Sequence, residues 1–352
     1  MNLKKVSIAD KISIRESLER FNELAPEALK QTTLFVLNAK QQLVGVLTEG
    51  DIRRAMLNNI TLDKSVTVCM NKQFKFFNRS NFNSTYINEL KKKKIRFVPF
   101  LNKDATILKL IDLELLKAVI PVEVVIMAGG KGERLRPLTS DTPKPMLKVG
   151  DKPILEHTID RLASFGIHQF YLSVNYLKAS IEDYFKNGID KGINIDYIHE
   201  NQPLGTIGSM SLVKKYHSEY VLLQNADLLT NIDYDAFYNE TIQSGAAMSV
   251  ATIPYHVDVP YAILDLDKKK GVKNLLEKPR LTYQANAGIY LIHHSLLKSI
   301  PKKQAFNATD LINTAIQQKL KVASFPIAGY WTDIGRMEDY QKVQLDIQQI
   351  QW

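Results

Sequence analysis

"VVIMAGGKGERLRPLTSDTPKPM", Val124 to Met146, decides how this chain is read. An apolar run suited to a buried strand gives way to Gly129, Gly130 and Gly132. Lys131, Arg134, Arg136 and Lys144 are then set among Pro137, Pro143 and Pro145. The prolines remove backbone donors and fix φ, so the segment is a loop, not a helix. Glycines directly after a strand let backbone N–H groups approach an anion, and the basic residues neutralise a multiply charged ligand. The stretch therefore reads as a wrap for a triphosphate. It lacks the Gly-Lys-Ser/Thr end of a P-loop, and no third glycine opens a helix as in a dinucleotide fingerprint.

Around this loop, apolar segments alternate with helical ones. The pattern predicts strands at Val122 to Ala128, Phe170 to Val174, Tyr220 to Asn225 and Met248 to Ile253. It predicts helices at Ile154 to Phe165, ended by Gly166, and near Ser180 to Lys186. Such alternation implies an α/β fold with a mainly parallel sheet covered on both faces, and a ligand crevice at the strands' carboxyl ends.

The first ~118 residues differ from this and contain a weak internal repeat. Extended run, turn, extended run and amphipathic helix start at Leu34, with Ile52, Ala55 and Met56 facing one way. The pattern returns from Val98 with Asn102 on Asn38 and Ile107 on Leu43, again ending in a short helix. Helical stretches, Arg15 to Leu24 and Thr85 to Lys94, precede the copies. The run Lys91 to Lys94 suits a helix C-terminus. Pro121 marks a boundary at 118–122.

At 352 residues and 45% hydrophobic, the chain supports two domains with cores of their own. One cysteine, Cys69, leaves no internal disulfide, and no charged-then-apolar leader is evident, so a cytoplasmic location is expected. The apolar stretch Leu115 to Ala128 is broken by Lys117, Pro121 and Glu123, so no membrane span is expected. The net charge of +9 is a scattered excess without an arginine-rich arm, which favours small phosphorylated ligands over nucleic acid.

The motif Gly129 to Thr139 with Pro143 to Met146 resembles, without departures, the signature of the sugar-1-phosphate nucleotidylyltransferases. The resemblance extends over residues 122–352 and implies a Rossmann-like three-layer nucleotidyltransferase domain. It implies that Gly129, Gly130 and Gly132 meet the nucleotide phosphates, with Arg134, Lys144 and Lys278 as catalytic cations. Gln202, Gly205 and Thr206, in "QPLGTIGS", resemble the loop that meets base and sugar. Asp227, in "LLQNADLL", and Asp333, in "YWTDIGRMEDY", stand where the family has its Mg2+ carboxylates. Ala226 replaces the family's usual glycine. Glu277 and Lys278, in "LLEKP", resemble contacts to the sugar hydroxyls and sugar phosphate, and Asn286 and Gly288 complete the sugar site. Tyr261-Ala262-Ile263 departs from the family's Tyr-Gly, and the added methyl bears on which sugar fits.

The repeat at 1–118 resembles a tandem cystathionine-β-synthase (CBS) domain pair, a smaller α/β regulatory or dimerising unit. In that family a Thr or Ser three residues before an Asp contacts an adenosine ribose, and Thr48 and Asp51 fit. A helix N-cap at Thr48 and Asp51 is the competing reading. Asp112 and Leu115 replace the pair in the second copy. The whole arrangement resembles glucosamine- or N-acetylglucosamine-1-phosphate guanylyltransferases, which implies GTP as donor and a homo-oligomer, dimer or higher. Mannose 1-phosphate with GTP, or glucose 1-phosphate with dTTP or UTP, is the alternative within the class. An adenine-nucleotide sensor with a silent transferase domain is the alternative from another class. The chain stops soon after Asp333, so a fused hexapeptide β-helix acyltransferase is not expected.

Overall fold

A computed structural model describes residues 3–24, 33–78, 81–82 and 84–350. Parts of the two expected domains, residues 1–2, 25–32, 79–80, 83 and 351–352, lie outside the described residues. The chain divides into two compact units between Val119 and Ile120.

The larger unit is built on a seven-stranded sheet. From one edge its strands are Asn194–His199, Gln169–Val174, Glu123–Met127, Tyr220–Asn225, Arg280–His293, Met248–Asp258 and Val322–Pro326. Six run in one direction, and Arg280–His293 alone runs against its neighbours. The middle strands read as unbroken apolar runs, not alternating ones, because both faces are covered. Val125, Val221, Leu223, Met248 and Ile292 are all fully buried in one shared core.

After Glu123–Met127 the chain moves to one side of the sheet, and after Tyr220–Asn225 it moves to the other. These two strands are neighbours, with Met127 opposite Asn225. The order therefore reverses between them, and a crevice opens there at the carboxyl ends. Met248 to Ile253 was the expected extent of its strand, yet pairing continues to Asp258 as a two-stranded ribbon with Arg280–Asn286. Its residues Tyr255 to Asp258 alternate apolar and polar side chains and are all exposed, which a search for apolar runs passes over.

In the smaller unit the two copies of the repeat share a turn. Asn38 Oδ1 accepts from the backbone of Lys40 and Gln42, as Asn102 Oδ1 does from Asp104 and Thr106. The strand pairs Leu34–Leu37 with Leu43–Leu47 and Phe97–Leu101 with Ile107–Asp112 are both antiparallel. The two turns meet, Leu43 N donating to Ala105 O at 2.9 Å. Helices occupy Ile14–Leu24 and Ser84–Lys92. Past the second, Lys93 pairs with Glu89 at 2.6 Å, and Lys91 Nζ caps Leu116 O at 2.6 Å.

Two expectations for this unit fail. The second copy does not end in a helix: Asp112 stays in the strand ladder opposite Phe97, ion-paired to Arg96 at 3.0 Å, and Leu113–Leu115 form a turn. Asp112 is thereby unavailable to start a helix as Thr48 does. Met56 is half exposed, whereas Ile52 and Ala55 are buried. The apolar stripe of Glu49–Leu57 is therefore narrower than its sequence.

Candidate functional site

The glycine-rich loop is anchored, not free. Leu135 is completely buried with Leu147, Val149, Ile154, Leu229, Ile334 and Val343 in a core of its own. Gly132 adopts φ +64°, and a Cβ there would lie 2.9 Å from Lys144 Cβ and 3.0 Å from Thr139 Cγ2. Only glycine meets both demands. Thr139 Oγ1 closes the turn on Gly132 O at 2.9 Å. Gly130 faces open space, with nothing within 4 Å of an added Cβ. Lys131, Arg134 and Arg136 are exposed along the wrap.

Lys144, in contrast, is buried. Its ammonium is ion-paired to Asp227 Oδ2 and lies 3.7 Å from Asp333 Oδ1. The two aspartates are brought together by a short antiparallel ladder in which Leu228 faces Asp333 and Thr230 faces Trp331. Ile334 N donates to Asp227 O at 3.0 Å. Arg134 closes the cluster: a Cβ at Gly335 would sit 3.6 Å from both its terminal nitrogens and 3.7 Å from Asp333 Oδ1. Burial, then the neighbouring Asp227 carboxylate, hold the Asp333 carboxyl above the usual aspartate range, against the opposing pull of Lys144 and Arg134.

Asp227 Oδ1 is buried and has no hydrogen-bond partner among the described residues. An orphaned carboxylate oxygen beside a second carboxylate fits a hard divalent cation, which takes oxygen donors. Among the described residues no group of three or more His, Cys, Asp or Glu is gathered for a metal. Two carboxylates would leave the remaining positions to water and substrate phosphates, as Mg2+ prefers.

Of the other expected residues, Gly288 lies against Asn225 and Leu228, which flank Asp227 in the chain. It lies in an irregularity of the ladder, between Val250↔Tyr290 and Thr252↔Asn286, with φ +73°. A Cβ there would meet Asn225 Nδ2 at 2.7 Å and Leu228 Cδ1 at 3.2 Å. Asn286 is exposed and bonds Tyr290 Oη at 2.8 Å and Gly288 N at 2.9 Å. Gln202, Gly205 and Thr206 are tied elsewhere, to residues 303–308: Gln202 Nε2 donates to Lys303 O at 3.1 Å, and Thr206 Oγ1 accepts from Ala308 N at 2.9 Å. Gly205, at φ +75°, packs its Cα against Phe306 O. Glu277 and Lys278 are exposed, and neither makes a hydrogen bond or ion pair to the Lys144 cluster among the described residues.

Sequence reading passed over Glu200. Its Oε1 accepts from Ser173 Oγ at 2.5 Å and its Oε2 from Leu204 N at 3.1 Å. A Cβ on Gly129 would lie 3.4 Å from Oε1. Glu200 thus ties the strand Gln169–Val174 to the Gln202–Thr206 loop, close beside Gly129. Its signal was positional, a carboxylate one residue past the end of Asn194–His199 at the sheet's carboxyl edge.

In the smaller unit Thr48 and Asp51 form a reciprocal cap on Glu49–Leu57. Thr48 N donates to Asp51 Oδ2 at 2.8 Å, and Asp51 N to Thr48 Oγ1 at 3.3 Å. Arg54 is ion-paired to Asp51. Among the described residues, no helix is long and apolar enough to cross a membrane.

A mainly parallel sheet, with a cationic loop and paired carboxylates at its switch point, defines an α/β phosphate-binding enzyme class. The "Nucleotidyl transferase" family pattern matches residues 123–350, and the chain belongs to that family. It is 30% identical over 222 residues to the mannose-1-phosphate guanylyltransferase catalytic subunit beta of Drosophila pseudoobscura pseudoobscura, covering 61% of this chain and 60% of that protein. It is 30% identical over 231 residues to the mannose-1-phosphate guanylyltransferase of Mycobacterium tuberculosis, covering 64% of each. The chain thus spans less than two thirds of these relatives' length. The crystal structure of HddC from Yersinia pseudotuberculosis superposes with TM-score 0.50 at 28% identity, over 64% of this chain and 99% of that one.

Proposed function

We propose that residues 122–352 transfer a nucleoside monophosphate from a nucleoside triphosphate to a sugar 1-phosphate, releasing pyrophosphate. The observation that carries this reading is the convergence of Lys144, Asp227 and Asp333 beside the anchored loop of Gly129 to Thr139. A phosphate oxygen of the sugar 1-phosphate attacks the α-phosphorus while the bond to the β-bridging oxygen breaks. No covalent enzyme intermediate is needed. Both reactants are polyanions, so repulsion and misalignment set the barrier.

Backbone N–H groups at Gly129, Gly130 and Gly132 and the side chains of Arg134 and Lys144 bind and orient the triphosphate. Lys278 neutralises the attacking phosphate. Glu277, Asn286 and Gly288 hold the sugar, and Gln202, Gly205 and Thr206 border the base. Mg2+ held by Asp227 and Asp333 supplies neutralisation of phosphate charge when bound. No general base is required, because the attacking phosphate oxygen is already ionised.

GTP is the proposed donor, which the names of both mannose-1-phosphate guanylyltransferase relatives support. Glucosamine or N-acetylglucosamine 1-phosphate is the proposed acceptor. The same names favour mannose 1-phosphate as a second reading. For residues 1–118 we propose a CBS-type pair that binds an adenine nucleotide through Thr48 and Asp51, supported by the twice-used Asn38 and Asn102 turn. The deciding experiment is pyrophosphate release across a matrix of GTP, dTTP and UTP against these sugar 1-phosphates, with and without Mg2+. Release confined to GTP with one amino or manno sugar supports the reading. Nucleotide binding without release under every condition would instead support a silent, sensing transferase domain.

A further inference from the structure

The loop that carries Gln202, Gly205 and Thr206 does not hold its shape alone, because residues 303–308 are zipped along it. Phe306 N donates to Leu204 O at 3.0 Å, and Phe306 O accepts from Ile207 N at 3.1 Å and from Gly208 N at 3.2 Å. The two backbones lie so close that a Cβ on Gly205 would meet Phe306 O at 2.6 Å, and one on Gly208 would meet Gln304 O at 2.7 Å. Glycine is what allows this approach.

Where the zipper ends, the two segments cap each other. The first amide of helix Ala308–Gln317, Ala308 N, donates to Thr206 Oγ1 at 2.9 Å, and Asn307 Oδ1 accepts in return from Thr206 N at 3.2 Å. Asn307 is fixed in its turn to the helix. Its own N–H donates to Asp310 Oδ2 at 2.8 Å, and its carbonyl accepts from Asp310 N at 3.0 Å and Leu311 N at 3.2 Å. Ala308, Leu311 and Ala315 bury that helix in the main core, so it is a rigid post for the loop. Thr206 thereby has its amide engaged by Asn307 and one hydroxyl lone pair engaged by Ala308 N. Its hydroxyl proton meets no acceptor among the described residues, which leaves the side chain as a donor toward a ligand.

We infer that Asn307 is a positioning residue of the nucleotide site: by holding Thr206 N, it sets where the Thr206 hydroxyl and the Gly205 backbone meet the base or ribose of the nucleoside triphosphate. This rests on the reading of Gln202, Gly205 and Thr206 as the loop that borders the base. Arg134, Lys144, Asp227 and Asp333 make no hydrogen bond or ion pair to 303–308 among the described residues. A loosened loop therefore weakens nucleotide binding and leaves the transfer step intact.

Two variants separate this role from the start of the helix. Asn307→Ser keeps a good N-cap residue, but its hydroxyl sits one atom nearer the backbone and falls short of Thr206 N. Asn307→Asp keeps an acceptor in the same place. In the ligand-free full chain, hydrogen exchange at the amides of 205–208 is expected to quicken in Asn307→Ser at an unchanged melting temperature, and to match wild type in Asn307→Asp. In pyrophosphate-release assays, KM for the triphosphate should rise about three- to tenfold in Asn307→Ser, the scale of one lost hydrogen bond. Its kcat and its KM for the sugar 1-phosphate should stay within about twofold of wild type, the pattern of lost ground-state binding, and Asn307→Asp should restore the triphosphate KM. An unchanged triphosphate KM in Asn307→Ser overturns the inference, as does equal exchange at 205–208 in all three proteins, or a kcat that falls together with the melting temperature. With an active wild type, each of these leaves the transferase reading standing. A wild type that neither releases pyrophosphate nor binds GTP, dTTP or UTP would remove that reading, and this inference with it.

Discussion

Lys144 and Asp227, 83 positions apart, form a buried ion pair at the carboxyl edge of the sheet, and Asp333 shares the same ammonium at 3.7 Å. The lysine therefore sits where the proposed divalent cation would place its charge. Without nucleotide, ammonium and cation compete for the same two carboxylates; triphosphate oxygens would draw the ammonium away and relieve that competition. Lys144→Met is expected to bind Mn2+ about tenfold more tightly than the wild type in the absence of nucleotide, a coupling of ordinary size. It should also lose turnover by roughly 100- to 1,000-fold, the usual cost of removing one charge-stabilising donor. Electron paramagnetic resonance of free Mn2+ measures the affinity. Equal affinities would show that Lys144 does not compete.

The two aspartates differ in what they do for the folded chain. Asp227 is paired with Lys144, whereas Asp333 is pushed above the usual 3.8 by burial and by Asp227. A raised folded pKa means that folding takes up protons at Asp333. Its favourable contribution is complete below the unfolded value and is lost as pH rises through the folded one. At neutral pH the charged Asp333 is thus a liability in the ligand-free chain. Asp333→Asn is expected to melt no lower than wild type at pH 7, with that margin shrinking as the pH falls toward the acid range. Asp227→Asn should melt lower, since it leaves Lys144 with only the more distant carboxylate. Both should lose Mg2+-dependent turnover. Calorimetry on the three proteins across pH gives the comparison, and a less stable Asp333→Asn would contradict it.

Two glycines in the loop separate folding from binding. Gly132 combines φ +64° with a Cβ position 2.9 Å from Lys144, so Gly132→Ala should cost about 1–3 kcal/mol and shift Lys144. Gly130 has open space, so Gly130→Ala should change stability by less than ~0.5 kcal/mol. If phosphates lie over this backbone, the added methyl occupies their side of the loop, and KM for the triphosphate should rise at least tenfold. Denaturant melts and initial rates on the two variants read this out. An unchanged KM in Gly130→Ala would place the phosphates elsewhere.

What could be read from the chain depended on how local each signal was. The strand Glu123–Met127 and the helix Ile154–Ser164 carry their apolar pattern, and Gly166 its stop at φ +74°, within a few residues. The meeting of Asp227 with Asp333 needed the Leu228↔Asp333 ladder, a pairing with no local trace. Resemblance supplied that pair where spacing could not. The buried state of Lys144 was illegible for the same reason, because it depends on Leu135 and its neighbours closing beneath the loop. The absent helix after Asp112 reflects a tertiary ion pair with Arg96 overriding a repeat pattern. The roles of Thr48 and Asp51 were open in the sequence, since capping and ribose contact call for the same two residue types.

Those two roles can be separated by lengthening one side chain. The cap uses Asp51 Oδ2 as acceptor for Thr48 N at 2.8 Å and Thr48 Oγ1 at 2.6 Å. Glutamate is the customary partner at this position of a capping box, so Asp51→Glu should preserve the cap. Asp51→Ala removes it and should cost about 1 kcal/mol. If the proposed ribose contact exists, a carboxylate moved by one methylene no longer reaches it. Asp51→Glu should then keep the wild-type melting temperature while its affinity for AMP, ADP and ATP falls about tenfold, the worth of one charged hydrogen bond of ~1.5 kcal/mol. Isothermal titration of each nucleotide into the full chain, beside a thermal melt, distinguishes the outcomes. Nucleotide affinity that follows stability alone, lost in Asp51→Ala but intact in Asp51→Glu, would leave Thr48 and Asp51 as a cap and nothing more.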